Sequence, residues 1–116
     1  MKAMPYEDIE PRSVDDPAAS GATMRIAIGP DDGAPNSVMR VFTLEPGGHS
    51  PRHSHPYEHE VFIYSGTGEV FHEGETFPVG PGYVAYIPPG TLHQFLNTGR
   101  EPLVFVCVIP RPLPKA

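Results

Sequence analysis

Turn-forming residues punctuate this chain so often that no long helix can run through it. Gly29-Pro30-Asp31-Asp32-Gly33, Glu45-Pro46-Gly47-Gly48, Ser65-Gly66-Thr67-Gly68, Glu73-Gly74-Glu75, Gly80-Pro81-Gly82, Pro88-Pro89-Gly90 and Asn97-Thr98-Gly99-Arg100 follow one another closely. Proline lacks a backbone donor and glycine disfavours helix, so each cluster halts one. Between them lie short runs rich in β-branched and aromatic residues: 23–28, 37–44, 60–64, 69–72, 76–79, 83–87, 92–96 and 102–109. Strands at such spacing, each followed by a turn signal, predict an all-β sandwich or barrel. Residues 1–20, rich in Pro, Asp and small side chains without a sustained period, read as an extended arm. Residues 21–116 then form a single β-barrel domain, since 116 residues suffice for one core and not for two.

The last run, Leu103-Val104-Phe105-Val106-Cys107-Val108-Ile109, does not alternate. A strand apolar on both faces needs both covered. One face fills the barrel, and the other packs on a partner subunit or on the arm; a homodimer is predicted. The alternative is that two packed sheets bury this strand within one chain.

Charge narrows the partners. Eight Lys and Arg against fourteen Asp and Glu give a net charge of −6, and the basic residues are scattered, which argues against nucleic acid. The amino terminus runs into acid and proline, and no segment approaches the ~20 apolar residues of a membrane span. The expectation is a soluble, unexported protein with no membrane partner. The single cysteine, Cys107, excludes an intramolecular disulfide and lies among apolar neighbours, consistent with a buried small hydrophobe and a reducing cytoplasm.

Histidines carry the chemical signal. His53 and His55 share one face of a strand because side chains alternate. Pro56-Tyr57-Glu58 turns the chain, and His59 then has the parity of Val61 and Ile63, two residues suited to a barrel interior, whereas Glu60 has the opposite parity. His93 follows on a distant strand, so a coordination sphere can be assembled from two parts of a barrel. Any one of these is more often a surface side chain than a ligand. His49, in a turn, and His72, ending a hairpin strand, are read as solvated and left out of the site.

The framing residues add a resemblance. Gly47, His53-Ser54-His55, His59 and Gly66, then Gly82, Pro88, Gly90, His93 and Asn97, resemble the two motifs of the cupin superfamily. The second motif matches throughout; the first has His59 at the family's glutamate position. The resemblance implies a cupin (double-stranded β-helix, jelly-roll) barrel with one divalent metal ion per chain, held by His53, His55, His59 and His93. His59 keeps both family spacings, so it is preferred over Glu60 as ligand. The likeness is greatest to small bacterial cupins with a four-histidine manganese site, carried by residues 35–48 and by His53-Ser54-His55-Pro56-Tyr57-Glu58-His59-Glu60. It implies manganese; iron, zinc, copper and nickel are the other ions that imidazoles accommodate. Gly47, Gly66 and Gly90 are expected at positive φ, and Asn97 is expected to bond a nearby turn.

Four neutral imidazoles leave the ion's charge uncompensated, which favours an anionic or oxygen-donor ligand. The leading expectation is an oxygenase or dioxygenase that brings a small-molecule substrate and dioxygen to the ion. One alternative is non-redox isomerase or lyase chemistry, for which Tyr64, Tyr83 and Glu60 are the nearest bases, Tyr64 and Glu60 having outward parity. Another is a ligand-binding barrel without turnover. Phe42, Ile63, Tyr83, Phe95 and Cys107 are candidate pocket residues by position, and no basic cluster suits a phosphorylated substrate. The sequence assigns no catalytic residue.

Overall fold

Strands end where the sequence turns, with one exception that shapes the molecule. The computed structural model describes residues 1–112. Its strands are β1 (Arg12–Ser13), β2 (Ser20–Ile28), β3 (Ser37–His49), β4 (His59–Ser65), β5 (Gly68–His72), β6 (Glu75–Val79), β7 (Val84–Ile87), β8 (His93–Leu96) and β9 (Leu103–Pro110). Single 3-10 turns cover Tyr6–Asp8 and Pro30–Asp32. No helix among the described residues is long and apolar enough to cross a membrane. All strand pairs are antiparallel, in the order β6-β5-β8-β3-β9-β4-β7, with β2 on β3 and β1 on β2.

The exception is β3. Glu45-Pro46-Gly47-Gly48 reads as a turn, yet the strand continues through it to His49. Gly47 takes φ +80° and the chain bends without breaking. A Cβ on Gly48 would lie 2.8 Å from the Glu45 carbonyl oxygen and 2.9 Å from those of Gly21 and Ser20, so only glycine lets the backbones meet here. Before the bend β3 pairs with β9 from Ser37 to Leu44; after it, His49 pairs with Leu96 of β8. One strand thereby serves both halves of the curled sheet.

Side-chain alternation sets the core. Leu44 of β3, Val61 and Ile63 of β4, and Leu103, Phe105, Cys107 and Ile109 of β9 point inward together. Strand β9 is covered on both sides, as its sequence requires: Val104 and Val106 belong to a second cluster with Ala27, Val41, Met39 and, from the arm, Tyr6 and Ile9. The arm docks on the barrel of its own chain. Strand β1 pairs with β2, Arg25 Nε donates to the Ile9 carbonyl at 2.8 Å, and Lys2 Nζ donates to the Ala27 carbonyl at 2.7 Å.

Candidate metal centre

Strand β4 delivers His59 into the barrel. Burial alternates along it, with His59, Val61 and Ile63 inside and Glu60, Phe62 and Tyr64 outside, so the parity that separates His59 from Glu60 is realised. His93 opens β8 and is 2% exposed. His53 and His55 lie outside a continuous strand, contrary to the expectation of a His-x-His strand; prolines 51 and 56 flank them and interrupt the pairing. A single bridge holds His53 instead, its N–H donating to the His93 carbonyl at 3.2 Å and its carbonyl accepting from His93 N–H at 3.0 Å. Gly90 N–H donates to the His55 carbonyl at 2.8 Å and ties down the second histidine.

The four imidazoles converge. Ring centroids are 4.9 Å apart for His53 and His55, 5.1 Å for His53 and His93, 4.9 Å for His55 and His93, and 5.1 Å for His59 and His93. One ring nitrogen from each of His53, His55 and His93 lies within 4.8 Å of the others, a cluster that could hold a metal ion. His59 joins through His55, their Nε2 atoms being 2.7 Å apart.

Hydrogen bonds on the far side of the rings test whether these residues fit an ion. His55 Nδ1 lies 3.1 Å from the Tyr57 carbonyl and His93 Nδ1 lies 2.9 Å from the Thr91 carbonyl. A carbonyl only accepts, so both Nδ1 atoms carry the proton and both Nε2 atoms present a lone pair, the tautomer that metal ligation requires; that of His55 meets His59 Nε2 in this structure. His59 Nδ1 lies 2.8 Å from Cys107 Sγ. These partners orient the rings; Tyr57 and Thr91 lie two residues from their histidines, whereas Cys107 is distant in sequence and carried no such signal. Tyr57 also stacks on His55, with centroids 3.8 Å apart.

Burial keeps the cluster neutral. It pushes the His59 imidazole down to about 3, helped by neighbouring His55 and Arg40, and pushes His55 down to about 4, helped by His93. His53 and His93 are shifted down by the same cause. Burial pushes the Cys107 thiol up, with nearby Arg40 opposing it.

A cavity of about 160 Å³ opens onto these rings, walled by Phe42, Phe95, Phe105 and Cys107. Phe105 stacks on Phe42 at 5.2 Å and on Phe95 at 4.5 Å between centroids. Three pocket expectations therefore hold, and two do not. Ile63 is sealed in the core away from the cavity, and Tyr83 is 53% exposed because β7 begins one residue after it. His72 also departs from expectation: it is half-buried, and its Nε2 is enclosed without a hydrogen-bond partner. His49 is half-buried too, with Nδ1 beside Gln94 Nε2 at 3.3 Å.

Sequence reading missed Val14, Asp16 and Arg40 in the cavity wall. Asp16 comes from the arm, where nothing in the sequence ties it to distant histidines. Arg40 did carry a signal: on β3 it shares parity with Phe42 and Leu44, and it pairs with Cys107 across β9.

The solved structure of the polyketide cyclase RemF from Streptomyces resistomycificus superimposes with a TM-score of 0.92 and 32% identity, covering 99% of this chain and 82% of that one. Polyketide synthase CurC from Streptomyces cyaneus is 37% identical over 70 residues, 60% of this chain and 46% of its own length. A glucose-6-phosphate isomerase from Thermococcus kodakarensis is 47% identical over 38 residues, 33% of this chain and 20% of its own. The chain thus spans less than half the length of both curated relatives. The family model described as "Cupin domain" matches residues 40–109, which is more than half of the chain, and with the all-β barrel and its histidine cluster it identifies this protein as a member of the cupin family.

Proposed function

We propose that this cupin is a metal-dependent enzyme acting on a carbonyl-bearing small organic substrate, with the ion held by His53, His55, His59 and His93. One observation carries the reading: four neutral imidazoles and the Asp16 carboxylate face one apolar-walled cavity. When bound, the ion supplies Lewis acidity toward a carbonyl or hydroxyl oxygen. Asp16 takes a proton from the carbon next to that carbonyl, and the C–H electron pair moves toward the carbonyl oxygen. Its Oδ1 accepts from Ala18 N–H at 2.8 Å, which orients the carboxylate. The names of the relatives, a cyclase and an isomerase, are compatible with such enolisation. We assign manganese as the native ion, with iron, zinc, copper and nickel as the alternatives that the donor set accepts.

A second reading is an oxygenase or dioxygenase, favoured by the aromatic walls Phe42, Phe95 and Phe105, which limit water around the ion. Oxygen uptake with enols, phenols and styrenes separates it from the first.

Elemental analysis of untagged protein is the first test. About one manganese per chain, lost in His59→Ala and kept in Glu60→Ala, is expected; protein that neither holds nor takes up metal sinks the proposal. Loaded wild type should exchange the methylene protons of hydroxyacetone in D₂O faster than the free ion does. Asp16→Asn should lose roughly 100-fold of that rate with its metal intact, in line with general-base catalysis.

A further inference from the structure

We propose that Arg40 is an anion-binding residue, and that the metal cavity takes a small organic carboxylate whose charged end meets this guanidinium. The inference rests on the reading of the cavity as a substrate site and narrows its substrate class.

Arg40 projects from β3 into the barrel, half-buried, and lines the cavity together with the four histidines. A guanidinium has five donors and stays charged, so burial normally requires a carboxylate partner. Arg40 has none: the one ion pair among the described residues joins Lys2 to Asp32. Its hydrogen bonds run through Nη2 alone, 3.3 Å from Cys107 Sγ and 3.3 Å from His59 Nδ1. Both partners, a neutral imidazole and a thiol, are uncharged, so they engage the guanidinium without balancing its charge. Arg40 Nε is enclosed and unpartnered.

The surroundings fix the guanidinium and leave its charge unanswered. Its Cζ lies 4.9 Å from the centroid of the Phe42 ring, which holds the group in place and supplies only a weak partner. Among the described residues, Asp16 is the only other charged one in the cavity wall; its Oδ1 is engaged by Ala18, and it lies beyond ion-pair distance of Arg40. Four imidazoles contribute no negative charge, so an ion and Arg40 together leave the cavity strongly positive. A planar carboxylate matches the guanidinium fork, and an apolar body matches the phenylalanine walls. A phosphate ester, which carries more charge, has only this one cationic side chain among the described residues of the wall to meet it.

The test compares benzoate, benzamide and phenyl phosphate by calorimetry on wild type, Arg40→Gln and Arg40→Lys, each metal-free and zinc-loaded. Benzoate is expected to bind wild type more tightly than benzamide in both forms, and Arg40→Gln should cut that margin about tenfold with full metal content. Arg40→Lys should keep only part of it, since an ammonium retains the charge and loses the fork. An unchanged margin in Arg40→Gln, or tighter binding of phenyl phosphate than of benzoate, overturns the proposal. Should Arg40→Gln fail to fold, ¹⁵N-labelled wild type decides: the Arg40 Nε–H resonance shifts with benzoate and not with benzamide, and no shift refutes the assignment. A protein that takes up no zinc defeats the metal reading, while the metal-free comparison still decides the role of Arg40.

Discussion

His59 shows how one buried imidazole couples the site to stability. Burial holds it neutral down to about 3, whereas a histidine in an unfolded chain titrates near ~6.5. Between those values the unfolded chain binds a proton that the native chain refuses. Stability is therefore insensitive to this group above the unfolded value and falls as the pH drops below it, by up to about 1.4 kcal/mol per pH unit. The urea midpoint of metal-free protein should be lower at about pH 5 than at about pH 7.5, with a shallower dependence in His59→Gln; equal midpoints in wild type would refute the sign. His59 was legible because β4 alternates strictly and one parity carries Val61 and Ile63. Arg40 obeys the same rule, yet a charged residue at an inward position contradicts ordinary patterning until a site explains it. Asp16 was illegible: its place depends on where the arm docks, which no local period encodes.

The arm is the element whose role emerges only in three dimensions. It covers the outer face of β9 with Tyr6 and Ile9, and it lends Val14 and Asp16 to the cavity. Arg25 holds it twice, through the bond to the Ile9 carbonyl and through its guanidinium 5.6 Å from the centroid of the Tyr6 ring. Arg25→Ala should cost about 1–2 kcal/mol and hasten proteolytic cleavage within residues 1–16, with the barrel left resistant. Cleavage at the wild-type rate would show the arm held by other contacts. Most strands were legible because the turn clusters are unambiguous, but β1 lies within the arm, and the strand expected at His53-Ser54-His55 is replaced by a single bridge. The path of β3 was not, because Pro46-Gly47-Gly48 ends a strand in most settings, and here the glycines let it bend onto a second partner.

For the whole molecule, the exposed apolar surface lies next to the strand that first suggested it. Val104 and Val106 of β9 are largely covered, while Phe62, Tyr64, Val84 and Tyr86 on β4 and β7 are 46%, 57%, 76% and 57% exposed. Phe62 faces Val84 across one strand pair and Val106 across the other, forming an apolar row on a single outer face. We propose that this row is the contact of a homodimer. Sedimentation should give twice the chain mass, and Phe62→Glu with Val84→Lys should shift it to the monomer without loss of fold; a monomeric wild type refutes the proposal.

The backbone bridge between His53 and His93 joins chain segments that meet only after β4 through β7 have been laid down. On the proposed reading of the site, the fourth histidine reaches the other three only when that bridge has formed, so a partly folded chain lacks the complete set. If the site holds an ion as proposed, metal affinity becomes a gauge of completed folding, and a substitution that loosens the barrel, however far from the histidines, should register as weaker metal retention before it registers as lost secondary structure.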